Sequence, residues 1–300
     1  MKTSFRKTWL CSFLLCCTFT GLSLVLVYGC GKLDTGAFAE PSVKIKLAES
    51  ASAGPGEPKP GTATDGASSG GPGTFAGRVV FKGAPPSPKP FYSKGGAPKN
   101  PEICSALGEI VNEELLVSSD GGIANVFVYL EKAPAGFKDT PPKEPVLFDQ
   151  KNCVFTTHAM IVRVGQTMKV LSDDALVHNT HTHPNKNDEE NMIVKANERE
   201  GIPLVFKKAE KFPFGVNCDY HAWMSAYQLP LDHPFGAVTD KNGNFKIENL
   251  PAGSYQFKLW HEKADSGKGG GYLDTKYKAV VKPGDNDAVT IDVVPSKFGL

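Results

Sequence analysis

The sequence predicts an all-β protein of sandwich architecture, and three observations predict it. Apolar residues recur with a period near two in short runs rich in β-branched side chains, beginning with Phe75 to Phe81. Turn signals separate the runs, as in Asp120-Gly121-Gly122, Asp240-Lys241-Asn242-Gly243-Asn244 and Lys282-Pro283-Gly284. Long helical periodicity is missing from the globular part, although Pro101 to Leu116 has room for a helical turn or two. Short punctuated strands without long helices mean an antiparallel sandwich or barrel.

Residues 1–29 read as an export signal. Lys2, Arg6 and Lys7 give a positive start, and Trp9 to Val27 is an uncharged apolar run near the lower limit for a membrane span. Its ending, Leu26-Val27-Tyr28-Gly29-Cys30, resembles a bacterial lipobox, with Tyr28 bulkier than that motif usually has. The resemblance implies a mature chain that begins at a lipid-bearing Cys30 in the cell envelope, facing the periplasm or the cell surface. An uncleaved helix is the alternative. Either way the chain meets an oxidising compartment. Residues 30–74 are rich in Gly, Pro, Ala and Ser, bury too little apolar surface to offset chain entropy, and read as a tether.

From about Thr74 onward there is enough chain for a substantial core. Strands are expected at Phe75–Phe81, Ala124–Leu130, Met160–Val164, Thr167–Leu171 and Leu204–Phe206. The series ends with Phe245–Ile247, Tyr255–Trp260, Tyr277–Val281 and Val289–Val294. Residues 235–255, with Thr239-Asp240, Gly243-Asn244-Phe245 and Leu250-Pro251-Ala252-Gly253-Ser254-Tyr255, resemble a carboxypeptidase-regulatory-like module on a transthyretin-like sandwich. Phe75 to Phe81 resembles the opening strand of the same family. The drawn organisation is therefore a larger β domain over 75–230 followed by the smaller module over 231–300. An arrangement in which residues 75–130 complete that module stays open.

Chemistry concentrates in Cys218-Asp219-Tyr220-His221-Ala222-Trp223-Met224. A thiolate, an imidazole and a thioether three residues apart suit a soft, copper-type centre, which needs one more histidine. The loop resembles the copper loop of the cupredoxins, and its short spacing resembles that of the amicyanins. Gly165-Gln166 followed by His178-Asn179-Thr180-His181 resembles the segment around the first ligand of that family. Together these cover residues 155–227. Ala222 stands where amicyanins have proline.

The resemblance implies a Greek-key β-sandwich holding one type 1 copper, with His178, Cys218, His221 and Met224 as ligands. It also implies that Asn179 bonds back to the cysteine-bearing segment, and that His221 is the exposed edge through which electrons pass. Trp223 either docks a redox partner or packs to exclude water. His181 reads as a residue at the surface or beside the ligands, and His183 as solvated, though the two are close enough to bind an extra metal. His158, His233 and His261 read as ordinary histidines.

Three cysteines lie in the signal and Cys30 carries lipid, so Cys104, Cys153 and Cys218 remain, an odd number. If Cys218 binds metal, Cys104 and Cys153 are the disulfide; otherwise Cys218 pairs with one of them. One cysteine in the loop excludes a two-copper centre with bridging thiolates. With 33 Lys and Arg against 32 Asp and Glu and no basic block, nucleic acid is excluded as a partner. No catalytic set is readable. The expected function is a one-electron carrier serving a redox partner protein. The alternative is a non-redox binding or structural module of the envelope, and a weaker third is an oxidase or reductase subunit needing a further metal.

Overall fold

The computed structural model describes residues 71–264 and 270–300. The expected signal, Cys30 and residues 30–70 of the tether lie outside them. Among the described residues no helix is long and apolar enough to cross a membrane. The chain is all-β: β1 (Pro72–Phe81), then a single helical turn α1 (Pro101–Cys104), then β2 (Phe127–Tyr129), β3 (Val146–Phe148), β4 (Gln150–Lys151) and β5 (Val154–Phe155). Next come β6 (Ala159–Arg163), β7 (Thr167–Val170), β8 (His178–Thr182), β9 (Asn191–Val194), β10 (Ile202–Val205) and β11 (Phe214–Asn217). The chain finishes with β12 (Ser225–Leu231), β13 (Gly236–Val238), β14 (Asn244–Pro251), β15 (Gly253–His261), β16 (Gly271–Val281) and β17 (Val289–Val293). The first strand starts at Pro72, inside the stretch read as tether. Backbone pairing of Pro72 and Gly73 with Pro251 and Leu250 extends it, and a proline is tolerated at a strand's first residue.

Two sandwiches result. In the first, the sheet β14-β1-β17 faces the sheet β13-β2-β15-β16 across Phe75, Val79, Ile123, Val128, Phe235, Ile247, Phe257 and Leu259. In the second, the sheet β6-β12-β11-β8-β9 faces β10-β7-β3 across Phe148, Val162, Met168, Val170, Leu204, Phe214 and Val216. The boundary drawn at residue 230 is thus crossed by pairing. β1 joins β14 and β17, and β2 joins β13 and β15, so the early strands complete the C-terminal sandwich and the second sandwich is set between them in sequence.

Strand β2 explains how the two are joined. Val126, Phe127, Val128, Tyr129 and Leu130 are all buried. Alternate residues of a strand point to opposite faces, so Val126, Val128 and Leu130 fill the first core. Phe127 and Tyr129 meet Leu229, Leu231 and Trp260 on the other face. The expected turn at Asp240 also forms: Asp240 Oδ1 accepts the backbone N–H groups of Asn242 and Asn244 at 2.8 and 2.9 Å. Gly243 is required there, because its φ is +81° and a Cβ would lie 2.5 Å from the Val79 carbonyl oxygen.

Candidate metal centre

Strands β8 and β11 pair antiparallel, with Asn217 opposite His181. That register puts His178, the first residue of β8, beside the loop that leaves β11 at Cys218. The loop closes on itself, Cys218 N–H donating to the Met224 carbonyl at 3.2 Å and Met224 N–H to the His221 carbonyl at 2.9 Å. Asn179 ties it to β8. Its Oδ1 accepts the Asp219 N–H at 2.7 Å and its Nδ2 donates to Asp219 Oδ2 at 2.8 Å.

The structure brings His178, Cys218 and His221 together, fully buried, with one donor atom each inside a 4.8 Å cluster. Cys218 Sγ lies 3.9 Å from His178 Nδ1 and 3.8 Å from His221 Nδ1. Met224 is buried in the same core. Cys104 and Cys153 form a disulfide and Cys218 is a free thiol. Burial pushes the Cys218 thiol up, but the contacts of His178 and His221 and backbone hydrogen bonds outweigh it and bring it down to about 6.

The outer nitrogens are held as well. His178 Nε2 lies 2.8 Å from Asp174 Oδ2, and Asp174 also accepts the backbone N–H groups of Asn152 and Cys153 at 2.6 and 2.8 Å. Burial opposes ionisation of Asp174, yet these three bonds keep its pKa below the usual carboxylate value. An ionised Asp174 accepts from Nε2–H, which leaves the Nδ1 lone pair of His178 facing the sulfur. A carboxylate on the far nitrogen fixes the ring and raises its basicity toward a metal. His221 Nε2 is 3.3 Å from Asn100 Oδ1, which leaves its Nδ1 facing the sulfur too. The donor set is thus oriented inward and fits a soft or borderline cation.

One expectation is corrected here and one open alternative is decided. His221 is not an exposed edge: it is 1% accessible. The segment between β1 and β2 lies over it as a strap, with Asn100 in the left-handed conformation at the start of α1 and Cys104 bridged to Cys153. Trp223 packs rather than presenting a docking surface. Its indole N–H donates to the Cys153 carbonyl at 2.9 Å, and its ring lies edge-on to Tyr92 and His221, each at 5.2 Å.

His158, His233 and His261, read as ordinary histidines, are all buried, and His261 is satisfied by the Ala124 carbonyl and the Lys263 N–H. His158 is the unusual one. It borders a cavity of about 230 Å³ that Trp223 and Met224 also line, with Glu262 against its Nε2 and Glu113 3.3 Å from its Nδ1. Sequence reading missed Asp174, Asn100 and this carboxylate pair. Asp174 had a signal, an acidic residue four positions before His178 in the segment leading to it. Asn100, Glu113 and Glu262 had none, because each reaches its histidine from more than a hundred residues away or across a separate loop.

No family model matches the chain, and no curated protein matches it. Solved structures do. A reduced amicyanin variant is 18% identical over 31% of this chain and 94% of its own, with a TM-score of 0.26. Amicyanin from Paracoccus versutus is 14% identical over 36% of this chain and 99% of its own, also at 0.26. A purple cupredoxin from Nitrosopumilus maritimus is 14% identical over 30% of this chain and 100% of its own, at 0.24.

Proposed function

We propose that this chain is a one-electron carrier of the bacterial cell envelope, with one type 1 copper centre held by His178, Cys218, His221 and Met224. The observation that carries this reading is a buried thiol left free while the other two cysteines pair, with Nδ1 atoms of two histidines 3.9 and 3.8 Å from its sulfur. A binding or structural scaffold has no use for such a set. Copper bound there would pass between Cu(II) and Cu(I), one electron at a time.

The chain's own residues prepare the place. Cys218, at about 6, is a thiolate at neutral pH and needs no strong base to shed its proton. Asp174 and Asn100 hold the outer nitrogens, so neither imidazole has to turn on loading. Phe148, Phe155, Phe214 and Trp223 share the apolar cluster that holds Cys218 and Met224, and Cys218 is buried in it. Met224 is the weak axial ligand by resemblance to the cupredoxin loop. Because the strap covers His221, a redox partner docks on the strap near Lys99, Asn100 and the exposed Tyr220. The lipid on Cys30 and the Gly/Pro-rich tether give the carrier its membrane attachment and reach. The C-terminal sandwich is read as a transthyretin-like module without catalysis of its own.

The test is a visible absorption spectrum of the chain from residue 71 onward with Cu(II) added, then ascorbate. An intense thiolate-to-copper band that bleaches on reduction and is missing in Cys218→Ser is the expected result. A colourless protein under the same loading overturns the carrier and leaves the binding module.

A further inference from the structure

A second set of donors lies on the outer side of β8, unused by the centre at Cys218. His181, His183 and Glu189 bring one donor atom each to within 4.8 Å of one another. The two imidazole rings are 4.3 Å apart, and Glu189 Oε1 is 2.6 Å from His181 Nε2. His183 and Glu189 are exposed and His181 is half-buried, so the cluster opens to solvent.

The protonation pattern is set from behind. Asp219 accepts the side-chain amides of Asn179, Asn191 and Asn217 at 2.8, 3.0 and 2.7 Å, and lies 3.1 Å from His181 Nδ1. Three amides already point their N–H groups at this carboxylate, and the Nδ1 side of His181 faces it as well. With the His181 hydrogen on that side, the lone pair of Nε2 points at the Glu189 carboxylate. Two electron-rich atoms at that distance need a cation between them, a proton or a metal ion. Asn217 gives its amide N–H to Asp219, so its oxygen faces His183 Nε2. That bond places the hydrogen of His183 on Nε2 and leaves Nδ1 as the donor atom.

We propose that His181, His183 and Glu189 form a second, surface metal site for a borderline divalent cation of the zinc or copper(II) class. Two imidazoles and one carboxylate select this class over magnesium or calcium, which prefer all-oxygen shells. Asp219 behind His181 is the carboxylate–imidazole–metal arrangement that orients a ligand ring and strengthens it. Donors around a tetrahedral zinc sit about 3.4 Å apart. Glu189 therefore moves outward by under about 1 Å, a shift that an exposed side chain accommodates. Asp188, Glu189 and Glu190 make the turn acidic, while the Lys186 ammonium is turned away onto the Ala209 carbonyl at 3.1 Å. The local field therefore favours a cation. Three protein ligands leave a fourth position for water or a partner's side chain.

The site does not depend on the metal at Cys218, and zinc alone is the probe. In equilibrium dialysis at pH 7, Cys218→Ser protein is expected to bind one zinc per chain. Adding His183→Ala or Glu189→Gln to that background weakens binding at least tenfold. Adding Asp219→Asn weakens it by about ten- to a hundredfold, the usual effect of losing a carboxylate behind a ligand histidine. Absence of bound zinc in Cys218→Ser overturns the site. So does equal affinity with and without both His183→Ala and Glu189→Gln. Either outcome leaves the copper absorption test at Cys218 untouched, so the two readings fail separately.

Discussion

The two sandwiches are built from the same kind of strand but spend their interiors differently. The C-terminal one, closed by β1, is filled by stacked and edge-on aromatics such as Phe75 on Phe257 at 4.3 Å and Phe137 on Phe235 at 4.5 Å. The inserted one buries Gln150, Asp174, His178, Asn179, Cys218 and His221 among its apolar residues. Buried polar groups are costly unless bonded, and each charged or ring atom at this centre has a partner: Asp174 three donors, His178 its carboxylate, Asn179 the Asp219 backbone. A covalent strap is added as well. The comparison teaches that one sandwich supplies stability through packing. The other supplies a pre-set polar cluster and borrows stability from a disulfide and from Phe127, Tyr129 and Trp260 at the seam.

The comparison breaks most sharply at Cys218. Cys218→Ser abolishes the copper band completely while leaving the thermal midpoint within a few degrees, since the side chains are nearly the same size. Phe257→Ala does the reverse: it costs about 3–5 kcal/mol in urea unfolding and leaves the band position unchanged. Removing the bridge with Cys104→Ala and Cys153→Ala together costs about 4 kcal/mol, from the loop entropy of a 49-residue separation. Unlike Phe257→Ala, it alters the band, because the strap over His221 is released.

A pH series sharpens the seam between the regions. Burial works against the charge of His158, but the hydrogen bonds of Glu113 and Glu262 outweigh it and push it up to about 9 from 6.5. A histidine raised in the folded state adds stability that is complete below pH 6.5 and is lost as pH rises through 9. The shift corresponds to on the order of 3 kcal/mol, and the raised pKa of buried Glu262 has the same sign, so it does not oppose the decline. Urea unfolding from pH 6 to 10 is expected to show that decline, and His158→Gln to flatten it. The smallest effect is Asn100→Ala, under about 1 kcal/mol for a single neutral hydrogen bond. It uncovers the outer nitrogen of His221, and faster electron exchange with a small-molecule oxidant by stopped flow is the expected readout.

Strand β2 and loop 218–224 show how far the sequence reaches. The run from Ala124 to Leu130 announces a strand, and Cys218, His221 and Met224 announce a donor loop, because both signals are local in sequence. The place of His178 beside Cys218 was legible too, since Asn179 next to it narrows three crowded histidines to one. Strands β8 and β11 were not, as His178-Asn179-Thr180-His181-Thr182 has no apolar alternation to reveal it. What holds β8 is its pairing with β9 and β11.

Residue types, spacing and turn chemistry determined by themselves that the chain is all-β and that one loop carries soft-metal donors. Only the tertiary structure decided that β1 and β2 close the C-terminal sandwich, that residues 91–110 cover His221, and that Asp174 and Asp219 stand behind their histidines. Those decisions depend on contacts between residues far apart in the chain. Periodicity and motif spacing record what neighbours do and are blind to which distant segment arrives to cover them.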